Sequence, residues 1–300
     1  KRLSLIIITF ISQFYFPQYQ PKNLSSSDLK KANDWVDKTY NALSQEEKLG
    51  QLFIVALYTN KDEAHINQIR NIVLNDKIGG LILMQDDAAR EINLVNEFQS
   101  KSKVPLMIGM DAEWGVFQRI AKAHKYPWAI TLGAIQDKNL IHDMASKIAE
   151  DCKRMGINWD FAPVVDVNTN PNNPIIGNRS FGSDVNNVVN SALAYSNGLQ
   201  DNKVLGAIKH FPGHGDTDKD SHLDLPVVSH NMERLEKTEL APFKALMDKG
   251  IGGVMVAHLY VPSLESKKGI PASISRKIVT GLLKEKYGYK GLIITDALNM

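Results

Sequence analysis

Helical and strand-like hydrophobic patterns take turns along most of the chain. Helix-type patterns, with the apolar spacing of three and four that marks one face of a helix, cover residues 28–43, 44–50, 61–75, 87–101, 137–155, 184–201, 232–249 and 275–287. Short apolar runs without polar alternation separate them, at residues 51–57, 79–84, 104–110, 157–167, 204–211, 251–258 and 291–297. Unalternated runs are typical of strands that are covered on both faces. Strands that take turns with helices indicate a parallel sheet.

The number of strand-like runs favours a closed barrel over an open sheet. No G-x-G-x-x-G motif follows the first run, so a dinucleotide-binding open sheet has little support. We therefore predict an α/β fold, a (β/α)8 TIM-type barrel. Only seven strand-like runs are visible, and the sequence stops soon after the last one. We expect the barrel to be truncated after its seventh strand.

Polar residues stand where several of the predicted strands end. They are Asp111, Asp166, Lys209, His210, His258 and Asp296. In a barrel the carboxyl ends of the strands meet on one face, and that face carries the active site. A single polar residue at a strand end means little, but their recurrence predicts a shared functional site.

Composition and charge exclude some classes of protein. Hydrophobic residues make up 43% of the 300 residues and charged residues 23%, which is typical of a soluble globular protein. The net charge of +2 comes from dispersed residues, so nothing indicates a nucleic-acid partner. Cys152 is the single cysteine and cannot form an internal disulfide.

The first residues have the pattern of a targeting segment. Lys1 and Arg2 precede the apolar run LSLIIITFI, and a polar linker follows. A basic start followed by a short apolar run is typical of a secretory signal and too short to form a stable membrane span. We therefore divide the chain into a signal-like segment with its linker, residues 1–27, and a catalytic barrel domain, residues 28–300, and expect a secreted or periplasmic location.

The stretch KHFPGHGDTDKDSHLDLP, residues 209–226, holds three histidines and four aspartates. Its DTDKD part resembles the start of a calcium-binding EF-hand loop. However, Ser221 stands where the sharp-turn glycine belongs, and Val227 where the bidentate glutamate belongs. The histidine spacing also fits no zinc motif. We predict no metal site, while a plain polar surface loop stays open as an alternative.

Acid–base chemistry is the interpretation that the same stretch favours. Asp220 and His222 are two residues apart, so in an extended turn their side chains point the same way. An aspartate beside a histidine fixes its tautomer and stabilises its charged form, and histidine exchanges protons near neutral pH. Asp296, at the end of another predicted strand, would supply a nucleophile.

These segments resemble glycoside hydrolase family 3, and specifically its β-N-acetylglucosaminidases. The resemblance covers about residues 40–300, and its motifs are IKHFPGHGDTDKDSHLDLP, GMDAEWGVFQR, INWDFAPVVDVN, IIGNRSFG, GVMVAHLYVP and GLIITDALNM. It implies a barrel domain that hydrolyses terminal β-linked N-acetylglucosamine in cell-wall or chitin-type oligosaccharides, muropeptides among them, by a retaining mechanism. It implies no cofactor.

The resemblance also implies roles for particular residues. Asp296 matches the family nucleophile, and His222 matches the acid/base residue, assisted by Asp220. The family's sugar contacts carry over to Asp111, Arg119, Arg179, Lys209 and His210. Where many members have D-Q-E-G-G-R, this chain has DAEWGV. We expect sugar binding to survive that change and the rim near the leaving group to differ.

Several alternatives remain open at the level of sequence. The sequence T-D-A at residues 295–297 favours the amino-sugar branch of the family. A β-glucosidase or β-xylosidase of the same family is the nearest alternative. A sugar-binding protein without catalysis would need neither Asp296 nor the Asp220–His222 pair. A Schiff-base lyase would use Lys209 as its amine. Phosphate could also replace water as the acceptor.

Overall fold

A parallel sheet in simple chain order forms the framework of the protein. The structure is a computed structural model, and it describes residues 26–85, 87–218 and 225–300. Its strands are β1 (Ile54–Leu57), β2 (Gly80–Leu83), β3 (Met107–Met110), β4 (Trp159–Asp160), β5 (Leu205–Phe211), β6 (Gly253–Val256) and β7 (Leu292–Thr295). Each strand pairs in parallel with the next one along the chain.

The sheet curls so that all seven strands contribute to one inner cluster. Its buried members are Trp159, Phe161, Ala207 and Met255, with Ile54, Ile82, Met107, Leu205 and Ile294 packed against them. Side chains from the first and last strands can meet in one cluster only if the sheet bends around it. The prediction of an α/β barrel of TIM type, with seven visible strands, is therefore confirmed as a curled, barrel-like sheet.

The helices lie between the strands and cover the outside of the sheet. They are α1 (Ser26–Asn41), α2 (Gln45–Gly50), α3 (Glu63–Asn75), α4 (Ala88–Lys101), α5 (Ala129–Gly133), α6 (Lys138–Arg154), α7 (Val185–Asp201), α8 (Met232–Lys237) and α9 (Ala241–Met247). Short 3-10 turns occur at Val116–Gln118, Gly177–Arg179 and Ala272–Ile274, and a π-helix at Lys277–Lys286. Within the described residues, no helix is both long and apolar enough to cross a bilayer.

The helix starts follow the capping chemistry of the sequence. Ser44 caps α2 in a capping box, in which its hydroxyl accepts from the Glu47 N–H and the Glu47 carboxylate accepts from the Ser44 N–H. Asp62, Asp87, Asp137 and Asp184 each accept a backbone N–H at the start of a longer helix. The caps of Asp62, Asp87 and Asp184 end strand-to-helix loops, so these residues fix where each helix begins after its loop.

Two predicted elements differ most from the sequence pattern, and each contains a proline. The predicted strand 157–167 is regular over only Trp159–Asp160, because Pro163 has no N–H for a ladder bond. The predicted helix 232–249 divides into α8 and α9, and Pro242 lies in the first turn of α9. Residues 1–25 of the predicted signal-like segment lie outside the described residues.

Gly215 lies where the loop after β5 touches the segment after β4. A Cβ atom there would stand 1.9 Å from the carbonyl oxygen of Val167, which belongs to a buried backbone and cannot move aside easily. We predict that Gly215→Ala lowers the free energy of unfolding by about 3 kcal/mol or more, as an unrelieved backbone clash does.

The measurement is urea-induced unfolding followed by circular dichroism, with Gly281→Ala as the matched control. A Cβ at Gly281, within the π-helix, meets nothing within 4 Å. The control should change stability by less than about 1 kcal/mol, in the stabilising direction. Equal unfolding midpoints for Gly215→Ala and the wild type would contradict the assignment.

Candidate active site

Lys209 is a buried ammonium group at the carboxyl end of β5. Its side chain is only 2% exposed. Its Nζ lies 2.8 Å from Asp111 Oδ1 and 2.7 Å from Glu113 Oε1. Both carboxylates belong to the loop that follows β3, so one lysine ties the ends of two separate strands together.

A guanidinium–carboxylate pair extends this cluster. Arg179 follows β4 in the chain and binds Glu113 through two contacts, Nη2 to Oε1 at 2.7 Å and Nε to Oε2 at 2.9 Å. The Nη2 atom also lies 3.2 Å from His210 Nε2. Two parallel contacts fix the plane of the guanidinium as well as its position. Arg119 binds the other carboxylate, Asp111, through its Nη2.

Asp166 organises the turn that follows Lys209. Its Oδ2 lies 2.7 Å from His210 Nδ1, and its carboxylate also accepts the backbone N–H groups of His210 and His214. The His214 ring contacts Thr217 Oγ1 through Nδ1 at 2.6 Å. Burial and the neighbouring His210 lower the pKa of His214 to about 4, so this ring is neutral at neutral pH.

Charge pairing determines the ionisation of the cluster. Burial alone would raise the pKa of the Asp111 and Glu113 carboxyls, but the cations of Lys209, Arg119 and Arg179 hold both below their usual values. Burial alone would likewise lower the pKa of Lys209, but the two carboxylates raise it. Lys209 is thus protonated at neutral pH, which argues against a Schiff-base lyase that needs a free amine.

The cluster has an inner part and an outer part. Lys209 and Glu113 are 2% and 5% exposed, whereas Asp111, Arg119 and Arg179 are 17%, 18% and 22% exposed. The inner pair holds the outer three in place, and the outer three keep hydrogen-bonding capacity that solvent or a ligand can reach. Carboxylate and guanidinium groups so arranged suit the binding of paired hydroxyl groups.

The last two strands also end in polar groups. The Asp296 N–H donates to the Val256 carbonyl at 2.9 Å, which continues the β6–β7 ladder, and its side chain is partly exposed. Its Oδ1 accepts the N–H of Ala297 at 2.9 Å. His258 contacts Ser273 Oγ through Nδ1 at 2.6 Å and the Ala297 carbonyl through Nε2 at 2.9 Å.

The predicted acid/base pair, Asp220 and His222, lies outside the described residues. The segments before and after it are joined, because Asp216 hydrogen-bonds to His230 Nε2. Within the described residues these two and Glu239 form one group of possible metal ligands, with their ligand atoms within 4.8 Å of one another. Arg234 lies 3.0 Å from the Glu239 carboxylate and 4.0 Å from that of Asp216. We assign the group as an ion-pair network, since Arg234 already lies within ion-pair distance of both acids.

The structure thus brings together all five predicted sugar contacts, which are Asp111, Arg119, Arg179, Lys209 and His210. It adds two buried acids that the sequence interpretation did not single out, Glu113 and Asp160. Glu113 could have been found from its position two residues beyond Asp111, since alternate residues of an extended segment share a side. Asp160 could have been found because it follows Trp159 in an apolar strand, where burying a carboxyl group costs free energy unless the group has a partner.

A charged, hydrogen-bonding cluster at the carboxyl ends of barrel strands is typical of an enzyme that binds a polar substrate. The family model "Glycosyl hydrolase family 3 N terminal domain" matches residues 44–300. The chain therefore belongs to glycosyl hydrolase family 3, as the sequence motifs predicted.

Named relatives agree with this assignment. The chain is 37% identical to β-hexosaminidase A of Pseudoalteromonas piscicida, over 78% of this chain and 43% of that protein. A family 3 β-N-acetylglucosaminidase from Paenibacillus sp. str. FPU-7 superposes with a TM-score of 0.77 at 36% identity, over 86% of this chain and 50% of that one. The β-glucoside phosphorylase BglX with bound 2FGlc superposes with a TM-score of 0.86 at 28% identity, over 93% and 51%. The chain thus spans about half the length of these relatives.

Asp160 provides a pH-dependent test of this site. It is fully buried, and burial raises its pKa to about 7. Between about pH 4 and pH 7 the folded protein therefore keeps a proton that the unfolded chain has already released, so this group contributes less stability as the pH rises. We predict that Asp160→Asn gains stability relative to the wild type across that window, by up to about 4 kcal/mol.

The measurement is a series of urea unfolding curves at half-unit pH steps. The exposed Asp248→Asn variant controls for the general effect of removing a carboxyl group. A stability difference between Asp160→Asn and the wild type that stays constant from pH 4 to pH 7 would show that Asp160 is already ionised in the folded protein.

Proposed function

We propose that the protein is a retaining β-N-acetylhexosaminidase that releases terminal β-linked N-acetylglucosamine from cell-wall or chitin-type oligosaccharides. The observation that carries the proposal is the cluster around Lys209 in a chain of glycosyl hydrolase family 3. Relatives that are 34–37% identical to it over the aligned residues are named β-hexosaminidase or β-N-acetylglucosaminidase.

The outer residues of the cluster would hold the terminal sugar. Asp111 is an acceptor for ring hydroxyls, and Arg119 and Arg179 are donors, all of them partly exposed. Lys209 and His210 would complete the hydrogen bonds from the inner side. Because these groups are already paired with one another, they are held in place before the sugar arrives, which lowers the entropy lost on binding.

Two displacements at the anomeric carbon would follow. The Asp296 carboxylate attacks that carbon while the glycosidic C–O bond breaks, and His222 gives its proton to the departing oxygen. Water then attacks the glycosyl-enzyme, His222 takes the proton, and the Asp296–sugar bond breaks. Asp220 would hold the His222 ring in the right tautomer and stabilise its charged form.

The choice of acceptor and of sugar calls for a direct assay. The likeness to a β-glucoside phosphorylase supports testing phosphate as well as water. We expect a nitrophenyl β-N-acetylglucosaminide to be cleaved at least about tenfold faster than the glucoside or xyloside, with free N-acetylglucosamine as the product. A sugar 1-phosphate formed on adding phosphate would identify phosphorolysis. Binding without turnover would favour a sugar-binding protein. Lys1 and Arg2, followed by the apolar run of residues 3–11, support a role outside the cytoplasm.

Asp296 can be tested by covalent labelling. A 2-fluoro sugar slows both displacements, and an activated leaving group keeps the first one fast enough for the glycosyl-enzyme to accumulate, so Asp296 should carry the label. We predict that peptide mass spectrometry finds the sugar on the peptide containing Asp296, and that Asp296→Ala loses turnover by a factor of about 10⁴ or more. Asp248→Asn, at an exposed position, serves as the control. A label on any other carboxylate would overturn this assignment.

His222 can be tested by chemical rescue. An activated aryl glycoside needs little protonation, so His222→Ala should spare the first step and slow the second by about 10²–10⁴. Azide attacks without losing a proton, so added azide should restore turnover and give a glycosyl azide. Asp220→Asn should act in the same direction more weakly.

A metal site in this loop would behave differently. Chelators would then inactivate the wild-type enzyme, an added metal would restore it, and azide would rescue nothing in His222→Ala. That combination of results would replace the acid/base assignment.

A further inference from the structure

Asp160 and Tyr195 both bind the peptide backbone beneath the cluster. Asp160 ends β4, is 0% exposed, and accepts the Ala112 N–H on its Oδ1 at 3.0 Å. The Tyr195 hydroxyl, on α7, is shared between the Ala112 and Glu113 carbonyl oxygens at 3.2 Å each. Among the described residues, the other carboxyl oxygen of Asp160 has no hydrogen-bond partner.

Both contacts act on Ala112, which lies in the segment that carries two carboxylates of the cluster. Ala112 separates Asp111 from Glu113, and both of these carboxylates bind the Lys209 ammonium. Neither Asp160 nor Tyr195 contacts that ammonium, and both are buried. Their hydrogen bonds therefore reach the cluster through the backbone of the segment that carries the two carboxylates.

We propose that Asp160 and Tyr195 are positioning residues that hold Asp111 where it can bind the sugar and Glu113 where it can anchor Arg179. Asp160 fixes the N–H side of Ala112, and Tyr195 fixes the carbonyl side. With both sides held, the segment cannot rotate about Ala112 without breaking a buried hydrogen bond. The role in sugar binding rests on the proposed function, whereas the restraint on the backbone does not.

The groups around Asp160 are consistent with a restraining role. Besides Asp111, Glu113 and Lys209, the titratable groups near it are Cys152 on α6 and Tyr195 on α7. Burial raises the pKa of the Cys152 thiol and of the Tyr195 phenol well above their usual values, so both stay neutral. Asp160 is thus isolated from solvent, and the Ala112 amide is its one hydrogen-bond partner in the described residues.

Three variants separate positioning from simple packing. Asp160→Ala removes the acceptor, Asp160→Asn keeps an acceptor of the same shape, and Tyr195→Phe removes only the hydroxyl. The first measurement is the inhibition constant of N-acetylglucosamine against a nitrophenyl β-N-acetylglucosaminide. We expect it to rise about tenfold or more in Asp160→Ala, a few-fold in Tyr195→Phe, and less than about twofold in Asp160→Asn.

The second measurement needs no substrate. Hydrogen exchange in the peptide spanning residues 111–115 should quicken in Asp160→Ala and Tyr195→Phe and stay slow in Asp160→Asn, while the β1–β2 peptides remain protected in all three. Inhibition constants and exchange that match the wild type in Asp160→Ala would overturn the proposal. If Asp160→Ala does not fold, unchanged values in Tyr195→Phe would do the same. Altered exchange in an enzyme that binds no N-acetylglucosamine would instead refute the proposed function and leave the backbone restraint standing.

Discussion

The burial of a single ammonium group governs how this site is built. A lysine charge removed from water is costly unless carboxylates replace its hydration. Lys209 therefore requires Asp111 and Glu113 close by, and both lie within 2.8 Å of its Nζ. Those carboxylates come from a different strand, so the charge requirement ties β3 to β5. The arginines then follow, because each balances one of the two acids.

Because of this pairing, the residues that would contact a sugar are held in place by buried residues that would not contact it. Glu113 anchors Arg179 through two contacts while it is itself almost completely covered. Substituting Glu113 would release Arg179 and Lys209 together. The affinity for a sugar would therefore also depend on residues beneath this cluster, where Asp160 and Tyr195 bind the backbone.

Much of the fold could be predicted from the sequence, because buried parallel strands leave continuous apolar runs. Each observed strand lies inside a predicted run. The errors occurred where a proline interrupts a hydrogen-bond pattern that hydrophobicity alone does not show, at Pro163 and Pro242. The predicted sugar contacts lie together, but their partner Glu113 was missed, because its pairing with Arg179 spans 66 residues and its one local signal is its position two residues beyond Asp111. Asp220 and His222 remain predictions.

The chain-order sheet has a consequence for how the molecule assembles during synthesis. Each strand joins the one before it, so the scaffold can grow unit by unit, with neighbouring strands paired across 26 to 50 residues. The link between Asp111 and Lys209 instead spans 98 residues. A nascent chain that has folded only as far as β4 holds the first carboxylates but not the ammonium that neutralises them. In such a partly folded chain Arg119 would be present to balance Asp111, but the joint pairing of Asp111 and Glu113 with Lys209 would form only once β5 joins the sheet.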